Sequence, residues 1–173
     1  MTIQLTALRK DDARDLLAFE TENRAYFERS VPGRGEAYYN PETFAVRHQA
    51  LLDEQDRGEG YFYLIRDGEG AIIGRINAFD LDGDSCSVGY RVAEAHTGKG
   101  VAKEAMRQFL ISLCEHGFRQ VLAKTLADNI PSQRILQKNG FKKTGTGDEG
   151  GLLNGEYIVF MYFKRQLAPG IDA

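Results

Sequence analysis

A chain of 173 residues, 42% hydrophobic and 27% charged, suits one domain with a single sizeable core and leaves little room for a second. Lys and Arg total 22 against 25 Asp and Glu, a formal net charge of -3, which argues against a broad, non-specific nucleic-acid binder. There is no apolar run of membrane-span length, no leader-like N-terminus, and no CxxC or zinc spacing around Cys86 and Cys114, so a cytoplasmic, metal-free protein with two free thiols is expected.

Residues 2–9 alternate, with Ile3 and Leu5 on one face, and predict a first strand. "KDDARDLLAFETEN", residues 10–23, places Ala13, Leu16, Leu17 and Glu20 at helical spacing behind a capping aspartate. Residues 26–40 have no clean period but carry Pro, two Gly, two Arg and three Tyr, as suits a loop that connects or binds. Asn40 and Pro41 open a second helix, striped by Phe44, His48, Leu51, Leu52 and Gln55 and ended by Gly58 and Gly60. Residues 61–67, 71–81 and 85–92 read as three successive antiparallel strands.

Residues 100–116 hold the clearest helix. Ala102, Ala105, Met106, Phe109, Leu110 and Leu113 share one face, and Gly117 ends it. Residues 118–126 predict a buried strand, and residues 128–141 a short helix with an Asp or Asn cap, an early proline and a terminal glycine. Two last strands, from Phe141 and over 156–167, meet at the Asn154-Gly155 hairpin signal. The order implies an α+β fold in three layers, with one sheet between helices, over residues 1–167, and a frayed tail at 168–173.

"HTGKGVA", residues 96–102, lies between a strand end and the clearest helix. A helix N-terminus offers unpaired N–H groups and a positive dipole end, and glycines let the backbone approach an anion closely. The stretch lacks the GxxxxGK[ST] of a P-loop, and its GxG follows an antiparallel meander instead of opening a parallel unit, so neither nucleotide fingerprint applies. Taken singly, Gly98 and Gly100 also fit loop punctuation, Lys99 a solvated lysine, Asn129 a helix cap and Ser132 a first-turn residue.

The stretch does resemble the acetyl-coenzyme A motif of the GNAT acetyltransferases, Arg/Gln-x-x-Gly-x-Gly/Ala, with Thr97 where Arg or Gln is usual. "DNIPSQRILQKNGF" resembles the same family's Asn-x-x-Ser/Ala-x-x-Leu-x-x-x-x-Gly-Phe segment at Asn129, Ser132, Leu136, Gly140 and Phe141. The closing "NGEYIVFMYFKR" is similar to the final hairpin of the branch that acetylates alanine N-termini of ribosomal proteins, and spermidine acetyltransferases end similarly. The resemblance spans nearly the whole chain and implies the GNAT fold, a single mixed, mostly antiparallel sheet of about seven strands.

It further implies an acetyl-coenzyme A dependent N-acetyltransferase. Backbone groups of Val92, Ala93 and Glu94 would pair with the pantetheine arm; Gly98, Lys99, Gly100, Val101, Ala102 and Lys103 would cradle the pyrophosphate; Asn129 would orient the pantetheine. Ser132 would act as general acid, no tyrosine lying near it in sequence. The family's usual base positions hold Ser87 and Val159, so Glu20, Glu22 and Glu36 are candidates by position only, each also reading as a surface charge, with water-relayed deprotonation as an alternative. The acceptor would lie over residues 26–40 and the final hairpin, where Tyr26, Arg29, Arg34, Tyr38 and Tyr39 suit a peptide backbone or an acidic group. The carboxylates a polyamine would want are Glu28, Glu36, Asp148 and Glu149. A peptide N-terminal α-amine is the expected acceptor, with a polyamine, amino acid or antibiotic, or a non-catalytic acyl-coenzyme A sensor, as alternatives. Monomer and homodimer fit equally.

Overall fold

Alternation along the second strand divides the core in two. In the computed structural model, which describes residues 2–170 without the side chains of 148–150, Tyr61, Tyr63 and Ile65 join one cluster while Phe62 and Leu64 join the other. Those clusters occupy opposite faces of one sheet, as a period of two requires. Its seven strands are β1 (Gln4–Ala7), β2 (Tyr61–Arg66), β3 (Ile72–Asp82), β4 (Ser85–Val92), β5 (Gln120–Leu126), β6 (Lys142–Leu153) and β7 (Glu156–Gln166), in the order β1-β2-β3-β4-β5-β7-β6. Every neighbouring pair is antiparallel except β4 and β5. The expected mixed α+β fold is the one observed. Residues 171–173 of the expected tail lie outside the described residues.

The first face carries α1 (Ala13–Glu22), the short α2 (Arg24–Phe27) and α3 (Pro41–Asp56), through Leu16, Phe19, Phe27, Tyr38 and Phe44. On the second, α4 (Val101–Glu115) buries Ala105, Met106, Phe109, Leu110 and Leu113, the face read from its periodicity, and α5 (Ile130–Lys138) adds Leu136. Because β4 and β5 run parallel, the chain must cross over between them, and α4 is that crossover. Asn40 caps α3 by accepting from the N–H groups of Glu42 and Thr43 at 2.9 and 3.3 Å.

Three local expectations change. Asp12, expected to cap α1, makes no side-chain cap; it accepts from the Arg9 N–H at 2.8 Å and pairs with Arg66 at 2.8 Å, an ion pair being the stronger attraction. The loop over 26–40 folds partly into a 3-10 turn, Glu36–Tyr39, which buries Tyr38. The strand at 118–126 is buried on one side only: Val121, Ala123 and Thr125 face the core, while Leu122 remains 37% exposed. Its other side has no helix over it.

No helix among the described residues is long and apolar enough to cross a membrane, and no cluster of their His, Cys, Asp and Glu side chains is placed to hold a metal ion. Cys86 and Cys114 are free and buried. Burial pushes the Cys86 thiol up to about 12, and the Cys114 thiol donates to the Ala168 carbonyl at 3.2 Å. The thiolate is the reactive form. At mildly alkaline pH an aromatic disulfide reagent should therefore label neither thiol of the folded protein, and both after unfolding in guanidinium.

Candidate active site

The sheet opens where its parallel pair ends. β4 and β5 pair only through residues 85–87 and 120–122. Beyond that, β4 stays with β3 as far as Val92, and β5 stays with β7 as far as Leu126. Ala93 donates to the Ile73 carbonyl at 2.9 Å, in register with the β3–β4 ladder. Antiparallel ladders alternate, so Gly89 and Arg91 also turn their backbone groups to β3, while Val88, Tyr90 and Val92 turn theirs into the opening.

Of the three residues expected to meet pantetheine, Val92 has this orientation. Ala93 and Glu94 have both backbone groups engaged within the protein. The Glu94 N–H donates to Asn23 Oδ1 at 3.0 Å, the Ala93 carbonyl accepts from His96 at 2.9 Å, and the Glu94 carbonyl accepts from the Thr97 hydroxyl at 2.8 Å. Thr97 thus secures the turn before the glycines. That Val88 and Tyr90 share this orientation is not readable from residue types, because the direction of a backbone group follows from strand register.

At one end of the opening, Gly98 and Gly100 take left-handed φ angles of 73° and 80°, which favour glycine. A Cβ at either would meet nothing within 4 Å, so the space over the turn is open. Gly100 occupies the N-cap of α4 with no side-chain cap. The helix's own bonding begins with Glu104 donating to the Gly100 carbonyl at 3.0 Å, so the N–H groups of Val101, Ala102 and Lys103 have no intrahelical acceptor. With Lys99 and Lys103 exposed beside them, these groups fit a diphosphate.

Across the opening, Asn129 caps α5 through an Oδ1 that accepts from the Ser132 N–H at 3.2 Å. The cap sets the first turn, and Ser132 Oγ then lies 2.7 Å from Tyr90 Oη on β4. Ser132, with no tyrosine near it in sequence, thus gains one from 42 positions away in the chain. Burial raises the Tyr90 phenol above its ordinary value, with the Ser132 hydrogen bond partly opposing, so near neutrality the pair keeps its protons.

The register pairs Arg75 with Arg91, Asn77 with Gly89, and Phe79 with Ser87, which in turn faces Leu122. All project on the α1–α3 side. Glu20 on α1 is fully buried there, accepting from Arg75 at 2.8 Å and from Arg91 at 2.9 Å, one bond to each carboxylate oxygen. It is no surface charge, and with both oxygens engaged it is not a free base. Glu22 is exposed; Glu36 pairs with Arg24 at 2.8 Å, which holds its carboxyl below the usual range. Glu28 also pairs with Arg24, which stacks 4.3 Å over the Tyr39 ring. Tyr26 packs on Phe27, and Arg29 lies 3.6 Å from Glu94. Val159 is partly exposed opposite Asp148 in the hairpin; the side chains of Asp148 and Glu149 lie outside those described. A pocket of about 200 Å³ is lined by Arg34, Arg75, Asn77, Gly89, Tyr90 and Arg91.

The sheet thus splits beside an uncapped helix end, with the Tyr90–Ser132 hydroxyl pair next to the split. The chain belongs to the GNAT acetyltransferases: residues 2–142 match the family's acetyltransferase (GNAT) domain, and the protein is an N-acetyltransferase. It is 28% identical over 160 residues to the probable N-acetyltransferase YjcK of Bacillus subtilis, covering 89% of this chain and 88% of that one. It is 26% identical over 152 residues to the ribosomal protein uS5 alanine N-acetyltransferase of Escherichia coli, 84% and 78% of the two chains. The ribosomal alpha-N-protein acetyltransferase RimL, solved with coenzyme A, superimposes with a TM-score of 0.87 at 21% identity, over 100% of this chain and 96% of its own.

Glu20 ties α1 to two strands, and removing one member of a buried ionic network strands the others. Glu20→Ala should lower the unfolding free energy by about 3–5 kcal/mol, read from urea denaturation.

Proposed function

We propose that the protein moves an acetyl group from acetyl-coenzyme A directly to the α-amine at a peptide or protein N-terminus. One observation carries the choice of amine: among the described side chains at the opening, no carboxylate is free to act as base. Ser87 and Val159 stand at the family's usual base positions, and Glu20 is held by two guanidiniums. An α-amine, with a pKa of about 7.7–8.0, is about a tenth to a sixth neutral at pH 7, whereas a lysine or polyamine amine near about 10.4 is neutral in fewer than about one molecule in a thousand. A site without a base suits the former. The identity with the uS5 alanine acetyltransferase supports the same reading.

Acetyl-coenzyme A supplies the acetyl group already activated as a thioester. The N–H groups of Val101, Ala102 and Lys103, with the Gly98 and Gly100 turn, hold its pyrophosphate. Val88, Tyr90 and Val92 offer the open strand edge to the pantetheine amides, and the Asn129 side-chain nitrogen, left over from capping, orients that arm. The acceptor enters on the α1–α3 side, over the partly exposed Phe79 and Leu122. As the new C–N bond forms and the C–S bond breaks, the Tyr90–Ser132 pair donates a proton to the departing sulfur. The ammonium proton passes to water.

Thiol release from acetyl-coenzyme A should occur with free N-terminal peptides and not with Nα-blocked lysine peptides or spermidine. At limiting acceptor, its rate should rise with pH through the acceptor's own pKa and then level, with no carboxylate limb. Cofactor binding without release on any of these amines would overturn the reading in favour of an acyl-coenzyme A sensor. Ser132→Ala and Tyr90→Phe should each lower kcat about a hundredfold, and the double variant little further, because the two act as one unit. Gly100→Glu should weaken acetyl-coenzyme A at least about tenfold, measured by calorimetry.

A further inference from the structure

The pocket on the α1–α3 side carries more positive charge than the protein itself neutralises. Three guanidiniums, from Arg34, Arg75 and Arg91, line it together with Asn77. Among the described residues, Glu20 is the carboxylate that hydrogen-bonds Arg75 and Arg91, and it uses one nitrogen of each. Arg75 Nη1 also reaches the Tyr38 hydroxyl at 3.5 Å; an arginine has five N–H donors, so each guanidinium has donors beyond these bonds. Arg34 stacks 4.8 Å over the buried Tyr38 ring, held at the pocket by the aromatic face without being neutralised. The nearby Glu28 and Glu36 both turn to Arg24.

The arginines feel one another. Burial lowers the Arg91 guanidinium; Glu20 opposes this, while Arg34 and Arg75 add to it. Arg75 is buried, Arg91 half-buried and Arg34 exposed, and like charges drawn together out of water are costly unless an anion joins them. Beside them lies the Asn77 side chain, whose Oδ1 is buried without a hydrogen-bond partner among the described residues. The pocket therefore presents donors for an anion.

Its position fits the reaction. Arg91 and Gly89 flank Tyr90 on β4, one strand rise of about 3.3 Å to either side, and Tyr90 stands at the opening. An anion on Arg34, Arg75 and Arg91 thus lies on the acceptor side of the strand that bears Tyr90, in the pocket that Tyr90 also lines. Resting on the N-acetyltransferase reading above, we infer that the acceptor is an α-amine bearing a carboxylate within a few bonds. Arg34, Arg75 and Arg91 bind the carboxylate. The carboxylate is the side chain of an acidic N-terminal residue; the α-carboxylate of a free amino acid, whose amine is more basic than a peptide's, is the contrary outcome of the test. A polyamine is repelled.

The test compares isosteres that differ in charge. Peptide amides beginning with Glu and with Gln, and alanine against alanine amide, are assayed for thiol release by wild type, Arg34→Gln and Arg34→Lys, with the thermal midpoint of each variant checked. In parallel, N-acetyl-Glu and N-acetyl-Gln peptides are titrated into the coenzyme A complex by calorimetry. The Glu peptide should exceed the Gln peptide in kcat/KM at least about tenfold, chiefly through KM. That ratio should collapse in Arg34→Gln and recover partly in Arg34→Lys. The same preference in the calorimetry supports the inference even if the acyl transfer itself fails. A preference for alanine over its amide, without one for Glu over Gln, overturns the inference and assigns the carboxylate to a free amino acid. Equal use and equal binding of charged and neutral partners by wild type would overturn the inference, as would a ratio unchanged in a folded Arg34→Gln.

Discussion

Everything functional in this fold depends on where one parallel strand pair stops. β4 and β5 share hydrogen bonds over three register positions and then part. Each keeps its outer neighbour, so neither strand is left without support. The inner edge of β4 is nonetheless unpaired in mid-sheet, a place where backbone groups normally find a partner. Edges of this kind invite an extended ligand. The crossover that makes β4 and β5 parallel also delivers α4, so the free edge and the uncapped helix end arise from the same stretch of chain.

The split needs bracing, and the molecule provides it on both faces. Toward α4 and α5, the Asn129 cap fixes the first turn of α5 and the Ser132–Tyr90 hydrogen bond joins that helix back to β4. Toward α1–α3, the Glu20 carboxylate joins α1 to adjacent strands through Arg75 and Arg91. Fully buried ionic groups seldom add net stability. Their merit here is placement: two guanidiniums are fixed in direction on a wall that an aliphatic core would have left featureless.

The fold was legible in the sequence because its signals are local. The apolar face of α4, the Asn40 and Asn129 caps, the left-handed glycines and the Asn154-Gly155 turn each act within a few residues, and each appears where its pattern lies. The pairing of distant groups was not legible. Tyr90 meets Ser132 across 42 positions, and Glu20 meets Arg91 across 71; only the packing of α5 and of α1 on opposite faces of β4 brings them together. Glu20 did leave a trace, since it falls on the apolar stripe with Ala13, Leu16 and Leu17, where a carboxylate is buried only if paired. The one-sided exposure of Leu122 had no comparable trace, because it reflects a helix that is missing overhead.

An opening that pierces the sheet has two doors. Under the reading developed above, the acyl donor lies along the α4 side and the amine comes from the α1–α3 side, so neither blocks the other's path. Both can be present together, and transfer needs no residue to carry the acetyl group in between. Steady-state kinetics in such an enzyme are sequential: double-reciprocal lines against donor at several acceptor concentrations intersect, and no acetylated protein accumulates when acceptor is withheld. The parting of two strands after Ser87 is then visible as a kinetic order.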